Sequence, residues 1–276
     1  MTPTSDSTPT ESLPISHSLS PAYVSSLIIV LLLTIVSAAG LFLQSEIYPT
    51  EELAQSFVVT DLVNLVIGLP ILLISMWFTR RNKLIGLLFW PGALFFIVYH
   101  FIVYVFAMPL SWMYLLYITL LVLSVYTMIG LVASIDGSVV GERLSGRVPE
   151  RLAGGVLVGL GAFFLLRNLA VLADAIFNQT TLPVTELGVM VSDFILIPAW
   201  IIGGLLLWRR QALGYVSGTG LLFQGSMLFI GLIVWLVLTP LMTGAPFAPV
   251  DVIVVAIMGL ICFIPFGLFV RGVAKS

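Results

Sequence analysis

Five ionisable side chains fall inside long apolar stretches of this chain: Asp61, His100, Arg167, Asp174 and Asp193. In a bilayer such a group costs about 2.5–3.5 kcal/mol at mid-helix, so it persists where it binds, moves protons or pairs. The set offers one cationic anchor, Arg167, for an anionic or zwitterionic ligand. Asp61 and Asp193 add two acids for counter-charge or proton carriage, and His100 one imidazole for general acid–base work. Asn64 follows Asp61 by three residues on the same helical face, and Tyr99, Asn168 and Gln224 supply further polar groups. The candidate ligand-binding residues are therefore Asp61, Asn64, His100, Arg167, Asn168, Asp193 and Gln224. Arg167 leans towards the N-terminal end of its helix and away from Asp174, so its expected partner is Asp61 or Asp193 across an interface. The competing reading is a closed ion pair that fixes helix register and does no chemistry.

Sharper chemistries lack their residues. A di-histidine haem needs two histidines in the membrane, and His17 lies outside the spans, leaving His100 alone. A retinal Schiff base needs a lysine within a span, and Lys83 and Lys275 lie outside. The Gly-x-Gly-Asp context of intramembrane aspartyl proteases surrounds neither Asp61 nor Asp193. Ser217 or Ser226 with His100 makes only a weak dyad. The one cysteine, Cys262, permits no intrachain disulfide and no cysteine-based metal site. No catalytic residue, metal ligand or cofactor is expected.

The elements that must hold these residues follow from composition. Of 276 residues, 60% are hydrophobic and 9% charged, against roughly 25% charged in an average soluble domain. With a mean hydropathy of +1.17, the main solvent of this chain is lipid. A net charge of −2 with no basic run excludes a nucleic-acid-binding face. Apolar runs of about 20 residues occur at 22–44, 56–79, 84–107, 112–134, 152–177, 187–208, 213–238 and 251–270. The fold expected is an all-α integral membrane protein of eight helices. On these spans Asp61 and Asp193 lie roughly 9 Å below the outer helix ends, in a layer shared with His100 and Arg167.

Arg80, Arg81, Lys83, Arg143, Arg147, Arg151, Arg209, Arg210, Arg271 and Lys275 all fall on one side, whereas Glu46, Glu51, Glu52, Glu186 and Asp251 fall on the other. The positive-inside rule makes the first side, with both termini, cytoplasmic, and the plasma membrane is the default location. Residues 1–21, rich in Ser, Thr and Pro, read as a disordered polar tail without the positive leader of a signal peptide.

An internal repeat is also visible. Pro70, Arg81, Gly86, Gly92 and Leu94-Phe95 recur 128 residues later as Pro198, Arg209, Gly214, Gly220 and Leu221-Leu222-Phe223, and Thr60-Asp61 has a counterpart in Ser192-Asp193. Two parallel four-helix repeats follow, 22–134 and 152–273, joined by a cytoplasmic linker at 135–151. Pro70 and Pro198 should then kink equivalent helices. Trp77, Trp90, Trp112 and Trp208 read as an interfacial aromatic belt. Gly155/Gly159 and Gly214/Gly218 read as close-packing motifs.

The run Asp61 to Pro70 with Arg80-Arg81, Gly86, Pro91-Gly92, Tyr99, Tyr104, Tyr114, Tyr117 and Asp136 resembles a group of prokaryotic multi-pass membrane proteins of about eight helices. No activity is assigned to that group, so the resemblance implies none. His100 stands where the group has an aromatic residue.

The expected function is binding or transport of a small polar or amphipathic solute at this polar layer. The alternatives are an intramembrane enzyme acting on a lipid or isoprenoid, and an accessory or sensory protein whose polar cluster is purely structural. Expected partners are the bilayer and a small-molecule or lipid ligand. The readings separate on whether Arg167 faces an open cavity or a closed ion pair.

Overall fold

A computed structural model describes residues 12–274. Among the described residues, eight helical segments are long and apolar enough to cross a membrane. They are α1 (Ser20–Phe42), α3 (Glu51–Val63) continuing through a π-helical turn (Asn64–Gly68) into α4 (Leu69–Arg80), α5 (Leu84–Ala107), α6 (Trp112–Ala133), α8 (Glu150–Phe177), α9 (Val184–Trp208), α10 (Ala212–Thr243) and α11 (Pro249–Val273). Two short helices, α2 (Gln44–Ile47) and α7 (Gly137–Leu144), lie between spans. All eight runs read from hydropathy are present, several extended by polar first turns. Helix α3, for instance, starts at Glu51 because Thr50 accepts the amide of Leu53 at 3.3 Å and two acids face the helix N-terminus.

Helix α5 is the central post, buried along most of its length and packed on α4, α6, α9 and α10. Its crossing with α10 is set by Gly92 and Gly220, where a Cβ on Gly92 would overlap the Gly220 carbonyl oxygen. Helix α8 crosses α9 through Gly154 and Gly204, whose missing Cβ atoms would meet each other's carbonyls at 2.5 and 2.7 Å. Without a hydrophobic drive between helices in lipid, such small residues let backbones approach and gain dispersion contacts. Gly154 and Gly161 make the closest contacts of α8 and Gly155 packs on the Trp208 ring, so of the expected pair Gly155 and Gly159 only the first is a packing glycine. A Cβ at Gly159 meets nothing within 4 Å, because that position lies on the outer side of the helix.

Three further expectations change. Trp90 is fully buried rather than interfacial, since its indole N–H donates to Ser26 Oγ at 3.0 Å in the core. Pro70 lies in the first turn of α4, directly after the π turn, where its missing amide takes one bond from the helical ladder. At Pro198, however, α9 continues without a break, so the expected kinks are not equivalent. Residues 12–18, assigned to the tail, are held in place. Ser16 donates its amide to the Ser134 carbonyl and Asp136 to the Pro14 carbonyl, both at 2.9 Å, with Ile15 bridged to Ile135. Ser20 and Pro21, also assigned to the tail, open α1 after Leu19, and residues 1–11 of that assignment lie outside the described residues.

The segment read as a linker contains α7, capped by Asp136 Oδ1 on the amides of Ser138 and Val139, with Val140 and Leu144 buried against the start of α10. Residues 12–18, α7 and the end of α11 at Gly272 share one face of the bundle, called here the termini face.

Candidate functional site

The polar residues of the membrane region divide into two clusters. The first lies among α5, α8 and α9. Close packing of Gly188 on the Val103 carbonyl brings α9 onto α5, and Ser192 Oγ donates to the Tyr99 carbonyl at 3.0 Å. That register aims the Tyr99 hydroxyl at Asp193 Oδ1, to which it donates at 2.9 Å. From α8, Asn168 Nδ2 donates to the other oxygen, Oδ2, at 3.1 Å. Since a carboxylate only accepts, the Asn168 amide must turn its nitrogen to Asp193 and its oxygen outwards. Oδ1 then receives the Arg167 guanidinium at 3.0 Å.

Among the described residues no carboxylate lies within 4 Å of Arg167. The expected direct ion pair, with Asp61 or Asp193, is replaced by an amide relay to Asp193. Arg167 is an exposed side chain, and four of its five N–H donors are left for something other than this protein.

Those donors face a cavity of about 710 Å³ bounded by α3, α5, α8, α9, α10 and α11. Its walls are mainly apolar and aromatic, including Phe57, Phe163, Phe164, Phe229 and Met258. Trp200 forms the deep end, fixed by its indole N–H on Gln224 Oε1 at 3.0 Å and stacked edge-on with Phe164. Trp235, held on the Ser56 carbonyl at 3.1 Å, closes the α10 side. Glu186 and Asp251, in the first turns of α9 and α11, line the end away from the termini face. Thr185 Oγ1 donates to Glu52 at 3.3 Å and links α9 to α3 there.

Of the residues proposed from sequence, His100, Arg167 and Asp193 line this cavity, Asn168 joins two of them, and Gln224 stands behind its floor. The His100 Nδ1 faces the Phe96 carbonyl of its own helix at 2.9 Å and must therefore carry the proton, which leaves Nε2 as the lone-pair end. Neither serine considered for a dyad reaches it: Ser217 donates to the Leu213 carbonyl and Ser226 pairs with Cys262. With α3 and α9 beginning earlier than hydropathy suggested, Arg167, Asp193 and Asp61 lie about 14–15 Å from their helix ends and His100 about 10 Å.

Asp61 and Asn64 belong elsewhere. Asp61 is wholly buried and accepts the hydroxyls of Tyr48 and, at 2.7 Å, Tyr104, with Gly40 leaving room for its carboxylate. Asn64 opens the π turn, buried, with neither amide atom bonded to protein. Neither residue lines the cavity. Sequence reasoning overlooked Tyr48, whose place in a polar loop carries no periodic signal.

It also passed over Glu150. This acid is buried at the termini face between the Tyr215 hydroxyl at 3.0 Å, the Gly146 amide at 2.8 Å and Arg210 at 3.8 Å. Its position at a helix start reads only as dipole compensation.

Comparison with family models, curated proteins and solved structures finds no match to this chain. The resemblance of the first half therefore lends it no function.

Proposed function

We propose that this protein binds a small anionic or amphipathic solute in the cavity beside Arg167, as a membrane-embedded carrier or transporter. One observation supports this above the others: the Arg167 guanidinium is engaged by a single amide oxygen and turns its remaining donors to an open, largely apolar cavity. A purely structural arginine at this depth would have a carboxylate in contact, because an unpartnered cation there is costly. Asp193 supplies the counter-charge at one remove, held by Tyr99 and Asn168, so that the site is poised without being closed. A cavity of this size is in the range of small-molecule sites, about 300–1,000 Å³, and an apolar wall with a few convergent polar groups is their usual composition.

We also read the bundle as two parallel repeats. Gly86 packs on Phe78 and Thr79, and Gly214 packs on Leu206 and Leu207, every one of these residues lying 128 positions after its counterpart. The matched Gly92 and Gly220 meet each other, as residues on a pseudo-two-fold axis do, and α5 packs on α9 while α10 packs on α3. We read the termini face as cytoplasmic, which the arginine bias supports, and the membrane as the plasma membrane by default.

Mass spectrometry of small molecules and lipids co-purifying with wild type and with Arg167→Gln, together with melting curves of both, tests the functional reading. A species enriched with wild type and lost from a variant that still melts cooperatively supports it. Identical extracts with a less stable variant would make the cluster structural and end it.

A further inference from the structure

We propose that the ligand is an anionic-headed lipid of the bilayer, which enters sideways between α8 and α11 and brings its head group to Arg167; this rests on the binding reading above. Three observations carry it. First, Phe163 and Arg167 of α8 and Val254 of α11 line the cavity and are also exposed on the bundle. The cavity thus has a side open at the depth of acyl chains, about 8 Å below the start of α11 at Val254 and about 15 Å below the end of α8 at Arg167.

Second, the aqueous approach has the wrong charge. An anion coming from the face opposite the termini passes Glu186 and Asp251, which line that end of the cavity, before it reaches Arg167, whereas Phe163 and Val254 at the side opening are apolar.

Third, the lining is graded. Arg167 sits near the opening in one polar layer with Tyr99, His100 and Asp193, and from that layer to Trp200 the wall is aromatic and aliphatic. A charged head with an apolar chain matches that order, and a small hydrophilic anion would leave most of the wall unmatched. A drug-sized cavity also leaves the rest of a long chain outside, which a lateral opening accommodates and a closed pocket does not.

Trp200 provides the reporter, because its ring is buried from the surrounding bilayer yet lines the cavity. The full chain is placed in phosphatidylcholine nanodiscs containing a minor share of phosphatidylglycerol, and bromine, a contact quencher of indole, is put on the acyl chains of one lipid at a time. Trp200→Phe identifies the Trp200 part of the emission. The expected result is that brominated phosphatidylglycerol quenches that part and brominated phosphatidylcholine does not. Arg167→Gln should raise the phosphatidylglycerol needed at least about tenfold, the equivalent of one charge-assisted hydrogen bond, and Arg167→Lys should recover part of it.

Quenching by both lipids alike, unchanged in Arg167→Gln, would overturn the anionic head group and with it the role given to Arg167. No quenching by either lipid, with methyl phosphate added from water shifting Trp200 emission in wild type and not in Arg167→Gln, would overturn lateral lipid entry and leave the solute-binding reading standing. No response to any of these probes would overturn both.

Discussion

Replacing Gly92 with alanine tests the crossing on which the site is built. The new Cβ would overlap the Gly220 carbonyl oxygen, and ordinary contact begins at 3.4 Å, so α5 and α10 must part by about an ångström. The obstacle is backbone on both sides and no side chain can rotate away, which puts the cost at the upper end of overpacking, about 3 kcal/mol. Parting there also loosens the upper cavity, because α5 carries Tyr99 and His100 about 10–12 Å further on and α10 carries Trp235. Thermal unfolding in detergent, followed by circular dichroism, should show Gly92→Ala melting well below wild type. Gly130→Ala is the control: its Cβ meets nothing within 4 Å, and alanine favours helix by up to about 1 kcal/mol, so it should melt with wild type or slightly above. Equal melting of Gly92→Ala and wild type would refute the reasoning, since two helices in backbone contact cannot absorb a methyl group at no cost.

Asn168→Asp puts a carboxylate where Arg167 now meets an amide oxygen and, on its other side, against Asp193, so the two acids must share a proton while the guanidinium is paired; retained ligand in co-purification should fall at least tenfold, and undiminished retention would count against Arg167 as the anchor. Asp61→Leu leaves the hydroxyls of Tyr48 and Tyr104 without their acceptor and should cost about 2–4 kcal/mol in unfolding measurements. Asp61→Asn keeps an acceptor, and because Asp61 does not line the cavity, ligand retention should equal wild type; a loss would place Asp61 in the site. In a Cys262→Ala background, a membrane-impermeant thiol reagent applied to intact cells should label Gln179→Cys and not Ser145→Cys, and the reverse pattern would invert the assigned topology.

What was legible in the sequence is what depends on short stretches of chain. Each span announces itself as about 20 apolar residues, because backbone in lipid must satisfy its own hydrogen bonds and does so in a helix whatever its neighbours are. The scarcity of ionisable groups inside those spans made Arg167, Asp193 and His100 candidates for the same local reason, and all three line one cavity. Which groups meet was a different matter. Asp61 and Asp193 are alike in sequence and in depth, yet only Asp193 stands near Arg167, because α9 packs against both α5 and α8 whereas Asp61 faces Tyr48 and Tyr104. Hydropathy marked Trp90 as interfacial, and a hydrogen bond to Ser26 on another helix holds it in the core. The amide relay through Asn168, the aromatic floor at Trp200 and the side opening between α8 and α11 arise from how separate helices are set against one another. Apolar periodicity in a chain greasy on every face carries no record of that arrangement, because lipid-facing and helix-facing surfaces draw on the same residues.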